Sequence, residues 1–327
     1  MIELKHDRLH LSFPQVHEEA FCAIDLLRTL RLPEDEQQHP LPPDLGRFPL
    51  KRVDDLKSSV PPTWLERGGV LVPLYQAEAL WIRFEGNYPF AVKLGTQGIN
   101  ALNGELWSDG LDAKNQDYVV TTSQPWVDGY RLDGEALSQF TALPLESDHA
   151  ANVQLSGHSD IGALRLLAYP LSASHYGKGG GQVGAGSKNL DPVSPDEAEP
   201  GVEPGGKVRL QVYSDPWGHD AWDTDHSAKC YVRICNSVIW RAVAGKSPPQ
   251  VPLTEQDYEA YQYPWIDSYE EPEQSDVQIE RMKKTIAISS GSDAESDEEP
   301  KAKLDQHNAI ILPEPRSLRY RVKEDPS

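Results

Sequence analysis

Residues 69–100, GVLVPLYQAEALWIRFEGNYPFAVKLGTQGIN, decide the fold. Three short runs, GVLVPLY, ALWIRF and FAVKLG, are rich in the branched and aromatic residues that suit a pleated surface. Gly86 and Asn87 separate the second run from the third before a helix can gather length. Working outward, INALNG (99–104) and DYVVTT (117–122) keep the same texture. Asn103-Gly104 predicts a tight hairpin turn, because both residue types tolerate positive φ, and Asp128-Gly129 in QPWVDGYRL (124–132) repeats the signal. VQLSG (153–157), ALRLLAYPL (163–171), KVRLQVY (207–213) and CYVRICNSVIW (230–240) continue the β pattern. The expectation is a mainly β protein, with a sandwich or barrel-like core, few short helices, long Pro/Gly-rich loops and a disordered acidic tail.

The flanks read differently. In PQVHEEAFCAIDLLRTL (14–30), Ala20, Ile24, Leu27 and Leu30 recur at three- and four-residue steps, which predicts a short helix. Seven prolines between 33 and 62 impose an extended path. Leu41, Leu45, Phe48 and Leu50 need burial, so residues 1–62 are expected to form a helix and an arm packed on the core. A first β half (63–171) and a second (207–270) then enclose a mobile Gly/Pro-rich loop (172–206). Within that loop GKGGGQVGAG (177–186) lacks the order of a phosphate-binding loop. Residues 271–327 form an acidic, largely disordered extension, in which Val277–Ile288 predicts one more helix. There Ser290, Ser292 and Ser296 each precede an acid by three residues, the pattern of an acidophilic phosphorylation site.

Charge and composition bound the function. The 327 residues carry a net charge of −20, and 27 prolines with 24 glycines accompany only 38 % hydrophobic residues. A surface this acidic disfavours nucleic acid, whose phosphates demand clustered Lys and Arg, and equally an anionic membrane. No run of about 18 apolar residues exists to span a bilayer, and the N-terminus lacks the apolar stretch of a secretory signal. Three cysteines imply no disulfide framework and place the chain in a reducing compartment, cytoplasmic or nuclear. Cys230 and Cys235, five residues apart in a strand, point to opposite faces.

The densest set of chemically capable residues lies in DPWGHDAWDTDH (215–226). His219, Asp223 and His226 would share one face of a helix and hold a divalent metal, with Asp225 beside them as a fourth acid or base. Asp215-Pro216, Gly218 and the Asp/Thr content favour a loop instead, where aspartates cap backbone N–H groups and tryptophans anchor the segment. Eight tryptophans are scattered along the chain, several beside turns. Trp126, Asp128, Trp217 and Trp222 are therefore the candidate lining of an aromatic cleft.

Several phrases together resemble a family of bacterial and fungal proteins with no established activity: RTLRLPED (28–35), PLPPDLGRFPL (40–50), VPLYQAEALWIRF (72–84), YPFAVKLGTQGINALNGELW (88–107), QDYVVTTSQPWVDG (116–129), PGGKVRLQVYSDP (204–216), WDTDHSAKCYVRICNSVIWRAVAGKSPP (222–249) and YPWIDSY (263–269). The resemblance spans roughly residues 8–290, with 177–200 as an insertion. Some members carry the label "integral membrane protein", which the lack of any spanning segment contradicts. It implies no catalytic residues. The expected function is a binding or interaction module with an aromatic-lined cleft, taking a small molecule or a protein. The alternative is a metal-dependent or hydrolase-type enzyme using His219, Asp223, Asp225 and His226.

Overall fold

Along β6 (Glu78–Glu85), Leu80, Ile82 and Phe84 enter the largest core, while Trp81 and Arg83 alternate with them onto the other face. The computed structural model describes residues 1–33, 42–96, 98–131, 137–142, 163–176, 212–271 and 276–289. Their strands form two seven-stranded sheets. The first runs β1 (Ile2–Lys5), β2 (Arg8–Ser12), β3 (Phe21–Leu30), β6, β12 (Leu137–Thr141) and β11 (Gly129–Arg131), with β10 (Trp126–Val127) also on β6. The second runs β4 (Lys51–Arg52), β5 (Val70–Pro73), β14 (Ala228–Cys235), β13 (Ala163–Pro170), β7 (Phe90–Thr96) and β8 (Ile99–Asn100), with β9 (Val119–Val120) on β7. Only the β5–β14 pair is parallel among these.

One core lies between the sheets. Leu9, Leu11, Ile24, Leu26, Leu80 and Ile82 of the first meet Val70, Val72, Phe90, Val92, Leu164 and Val232 of the second. Two inner faces sharing one apolar layer make a β-sandwich. The mainly β expectation holds. A second cluster covers part of the outer face of the second sheet. Leu71 and Cys235 pack there against Trp64 of α1 (Pro62–Arg67), Trp240 of α3 (Ser237–Ala244), which follows the one-turn α2 (Ala173–Tyr176) in the chain, and Met282 of α5 (Asp276–Ser289). Cys230 belongs to the inner core and Cys235 to this outer cluster, on opposite faces of one strand. A third cluster, Leu30, Ala77, Tyr258, Tyr263 and Tyr269, seals one end. The Tyr258 hydroxyl, in α4 (Glu255–Ala260), donates to the Ala77 carbonyl and accepts from the Arg31 amide.

Several expectations are corrected. The helix expected over 14–30 is the strand β3. Residues 22–27 are buried without a break, so the strand loses its alternation and the apolar positions mimic a helical period. Its outward Asp25 is fully buried by ion pairing. The run CYVRICNSVIW is half strand and half helix. Asn236 accepts a side-chain hydrogen bond from the Ile239 amide at 2.9 Å and starts α3, and Gly245 ends it in the left-handed conformation. Asn103-Gly104 does form a turn: the Gly104 amide donates to Asn100 and the Asn100 amide to Glu105, enclosing four residues rather than two. Asp128-Gly129 does not reverse the chain. It carries β10, paired with β6, into β11, paired with β12, and Gly129 takes no positive φ. The helix expected at 277–288 is α5. VQLSG, residues 207–211, the loop beyond Tyr176 and the serines 290, 292 and 296 lie outside the described residues.

The Pro-rich arm continues the row of β2 alongside β3. Leu45 and Phe48 amides donate to Arg28 and Leu26 carbonyls, and the Arg28 amide donates to Gly46. Phe48 is fully buried and Leu50 nearly so. Arg47 from this arm joins Arg8 and Arg83 around the Asp25 carboxylate. The Arg47 Nε bond is 2.7 Å and the Arg83 terminal nitrogen bond 2.8 Å. Arg8 bonds through its terminal nitrogen at 3.0 Å, while its Nε lies 2.7 Å away at an angle that makes no hydrogen bond. Desolvation alone would raise the Asp25 pKa. The Arg83 hydrogen bonds and the charges of all three arginines outweigh it and hold the carboxylate below its usual range.

Candidate functional site

The outer face of the second sheet carries an unusual row. Register places Gly95 of β7 opposite Arg165 of β13, and Arg165 opposite Tyr231 of β14. All three therefore stand side by side on one face, across the strand direction. Gly95 has no side chain, and Trp107 occupies the space: a Cβ built there would lie 2.3 Å from the indole ring. At the far end Gly69, at φ +99°, brings its backbone so close to Tyr231 that a Cβ would sit 2.0 Å from the Tyr231 carbonyl oxygen. Gly95 thus lets the Trp107 ring lie against the sheet beside the Arg165 guanidinium, and Gly69 lets two backbones approach closely.

That guanidinium lies between two rings. The Arg165 carbon is 4.9 Å from the Trp107 centroid and 5.4 Å from that of Tyr231. Further cations extend the stack. Lys93 sits 5.1 Å from Trp107, Arg67 lies 5.4 Å from Tyr231, and Arg233 lies 4.7 Å from Trp64 and 5.8 Å from Tyr231. Each contact falls within the range of cation–π attraction. Lys93 is buried and anchored by an ion pair with Asp117 and by bonds to Ser108 Oγ and the Gly110 carbonyl. Trp107 Nε1 donates to Asp109, whose other oxygen meets Lys229 Nζ at 3.3 Å. Those bonds, aided by the charges of Lys229 and Arg165, hold the Asp109 carboxylate below its usual range. Between Trp107, Arg165, Tyr231, Thr96, Ile99 and Ala163 runs a shallow open groove. Trp107, Arg165 and Tyr231 all stay partly exposed, and Leu106 next to Trp107 is 85 % exposed.

Compared with known proteins, the chain matches no family model, no curated protein and no solved structure. The family resemblance therefore rests on the quoted phrases alone.

The residues singled out in the sequence sit elsewhere. His219 turns its Nε2 to the Leu111 carbonyl at 3.2 Å and its Nδ1 to Asp220 at 3.4 Å. Asp223 accepts from the amides of Asp225 and His226 and meets His226 Nδ1 at 3.0 Å. The 215–226 segment is a loop with one short turn at His219–Ala221, so 219, 223 and 226 share no helical face. Among the described residues no three His, Cys, Asp or Glu side chains are placed to hold a metal ion. Trp222 is nearly buried and gives its indole N–H to Asp215 at 2.8 Å, which also accepts from Tyr118 and the Trp217 amide. Trp217 packs edge-on against Trp222 at 6.1 Å. Trp126 is on β10 opposite Arg83, and the Asp128 carboxyl is raised by burial to about 6, its own backbone N–H opposing the rise.

Sequence reading missed Trp107, Arg165 and Tyr231 because they lie 58 and 66 residues apart in the chain. One local sign was present: Arg165 breaks the most apolar window of the sequence, IGALRLLAYPL. A lone cation in an apolar strand marks a face that meets something other than the core.

Proposed function

We propose that this protein is a binding module whose recognition surface is the Trp107–Arg165–Tyr231 groove, and that its partner is a protein segment bearing acidic and aromatic side chains. The observation that carries the reading is the Arg165 guanidinium held between two partly exposed rings. Tryptophan, tyrosine and arginine are the residues that dominate binding energy at protein interfaces. Here they arrive preorganised, so little side-chain entropy is lost on contact. Leu106 adds an exposed apolar anchor. On a chain of net charge −20, Arg165 in the groove and the exposed Arg67 and Lys229 beside it supply local complementarity to carboxylates. No helix of the described residues is long and apolar enough to cross a membrane.

The test is fluorescence polarisation with a labelled peptide of Glu, Asp and Tyr residues. Arg165→Ala and Trp107→Ala are expected to weaken binding at least about tenfold, the cost of losing one hot-spot contact. Binding by both folded variants at wild-type strength overturns the assignment. The enzyme alternative predicts instead activity or metal uptake dependent on His219 and His226.

A further inference from the structure

A second concavity opens at the seam where the edge of the first sheet meets the second. It encloses about 440 Å³, within the size range of small-molecule sites. Ile2 and Leu4 of β1 are its partly exposed apolar residues, set over the buried Leu9, Val70 and Cys230. Its rim is ionic. Lys5, Arg52 and Lys229 supply three cations, with the carboxylates of Glu3 and Asp54 in the cleft and that of Asp109 just outside it.

The rim pairs are weak ones. Lys5 holds Glu3 two residues away, Arg52 holds Asp54 two residues away at 3.0 Å, and Lys229 reaches Asp109 at 3.3 Å outside the cleft. All six side chains are about half-exposed or more, and such pairs contribute little and exchange readily. A cation freed from its neighbour can therefore turn to an incoming anion at small cost. Below the rim, an apolar group gains the transfer free energy of leaving water. The Cys230 thiol plays no chemical part, since burial lifts its pKa to about 12.

We propose that this cleft binds a small monoanionic amphiphile, a carboxylate head at the Lys5/Arg52/Lys229 rim and a short alkyl tail over Ile2 and Leu4. The site is separate from the cation–aromatic groove and stands or falls independently of it. Lys229 borders both, so the two are distinguished by Arg52 on one side and Trp107 on the other.

The experiment is calorimetric titration of the full chain with octanoate and with octylammonium. Octanoate is expected to bind saturably with Kd below about 1 mM, and octylammonium at least about tenfold more weakly. Arg52→Glu/Lys229→Glu reverses two exposed charges and is expected to weaken octanoate at least tenfold, whereas Trp107→Ala leaves it unchanged. If the double reversal unfolds, Arg52→Gln serves in its place, with an expected loss of about threefold or more. Methyl resonances of Ile2 and Leu4 are expected to shift on addition of octanoate. No saturable binding, equal binding of the cation, an unaffected charge-reversed variant, or the same loss in Trp107→Ala each overturns the proposal.

Discussion

Replacing Asp25 with alanine tests the electrostatic centre of the first sheet. Its carboxylate is fully buried and accepts hydrogen bonds from Arg8, Arg47 and Arg83, whose side chains are 19 %, 41 % and 33 % exposed. Removing one partner of a buried pair costs about 3–5 kcal/mol, because the stranded charge keeps its desolvation penalty. Here the three guanidiniums retain some water, and Arg8 and Arg83 keep Glu85 and Asp44 nearby. The lower end, about 3 kcal/mol, is therefore expected. Asp25→Asn keeps an acceptor but loses the charge, and about 2 kcal/mol is expected. Urea unfolding at pH 7 measures both. The pH dependence supplies an internal check. The folded-state pKa lies below the usual 3.8, so the unfolded chain binds the proton more readily. The stabilisation is then fully present above the usual carboxylate range and is lost as pH falls through the depressed folded value. The gap between wild type and Asp25→Ala should stay constant from pH 7 to about 5 and shrink below about 4. A loss under about 1 kcal/mol at pH 7, or a gap that widens in acid, would refute the reasoning.

Three further outcomes are expected. Gly95→Ala places a methyl 2.3 Å from the Trp107 ring, so the indole must leave its seat; overpacking of this kind costs about 1–3 kcal/mol, and near-UV circular dichroism should register the displaced tryptophan. Asp128→Asn should stabilise the protein at pH 7: a rise from 3.8 to about 6 corresponds to at most about 3 kcal/mol, reduced to about 1–2 by the residue's partial exposure, and the advantage should vanish below pH 4 as the wild-type carboxyl protonates. Asn236→Ala removes the cap of α3 and should cost about 1 kcal/mol in urea unfolding.

The sandwich was legible where β-branched and aromatic residues come in short runs with turn residues nearby. Residues 69–100 are the clearest case: β5, β6 and β7 are buried almost throughout, but Gly86 and Asn87 break the stretch. It was illegible where a buried run has no such break. Residues 22–27 are buried throughout, and a continuous apolar run satisfies a helical period as readily as an extended one. The helix start at Asn236 hides for another reason: a capping asparagine resembles a turn residue until its side chain is seen to accept from Ile239. The His219–His226 segment drew attention because its groups are close in sequence. Its aspartates bond to nearby amides, the role that loop-borne aspartates commonly fill. The groove is the reverse case. Gly95, Arg165 and Tyr231 meet only through strand register, which leaves no trace in local spacing.

The most direct measurement of the central claim is fluorine NMR of the protein labelled with 5-fluorotryptophan, recorded as the acidic peptide is added. Each of the eight tryptophans gives one resonance, assigned by single replacements with phenylalanine. The account predicts that the Trp107 resonance shifts and saturates with the peptide while those of Trp126, Trp217 and Trp222 stay in place. A peptide-dependent shift at Trp126 or Trp217 with Trp107 unmoved would contradict it.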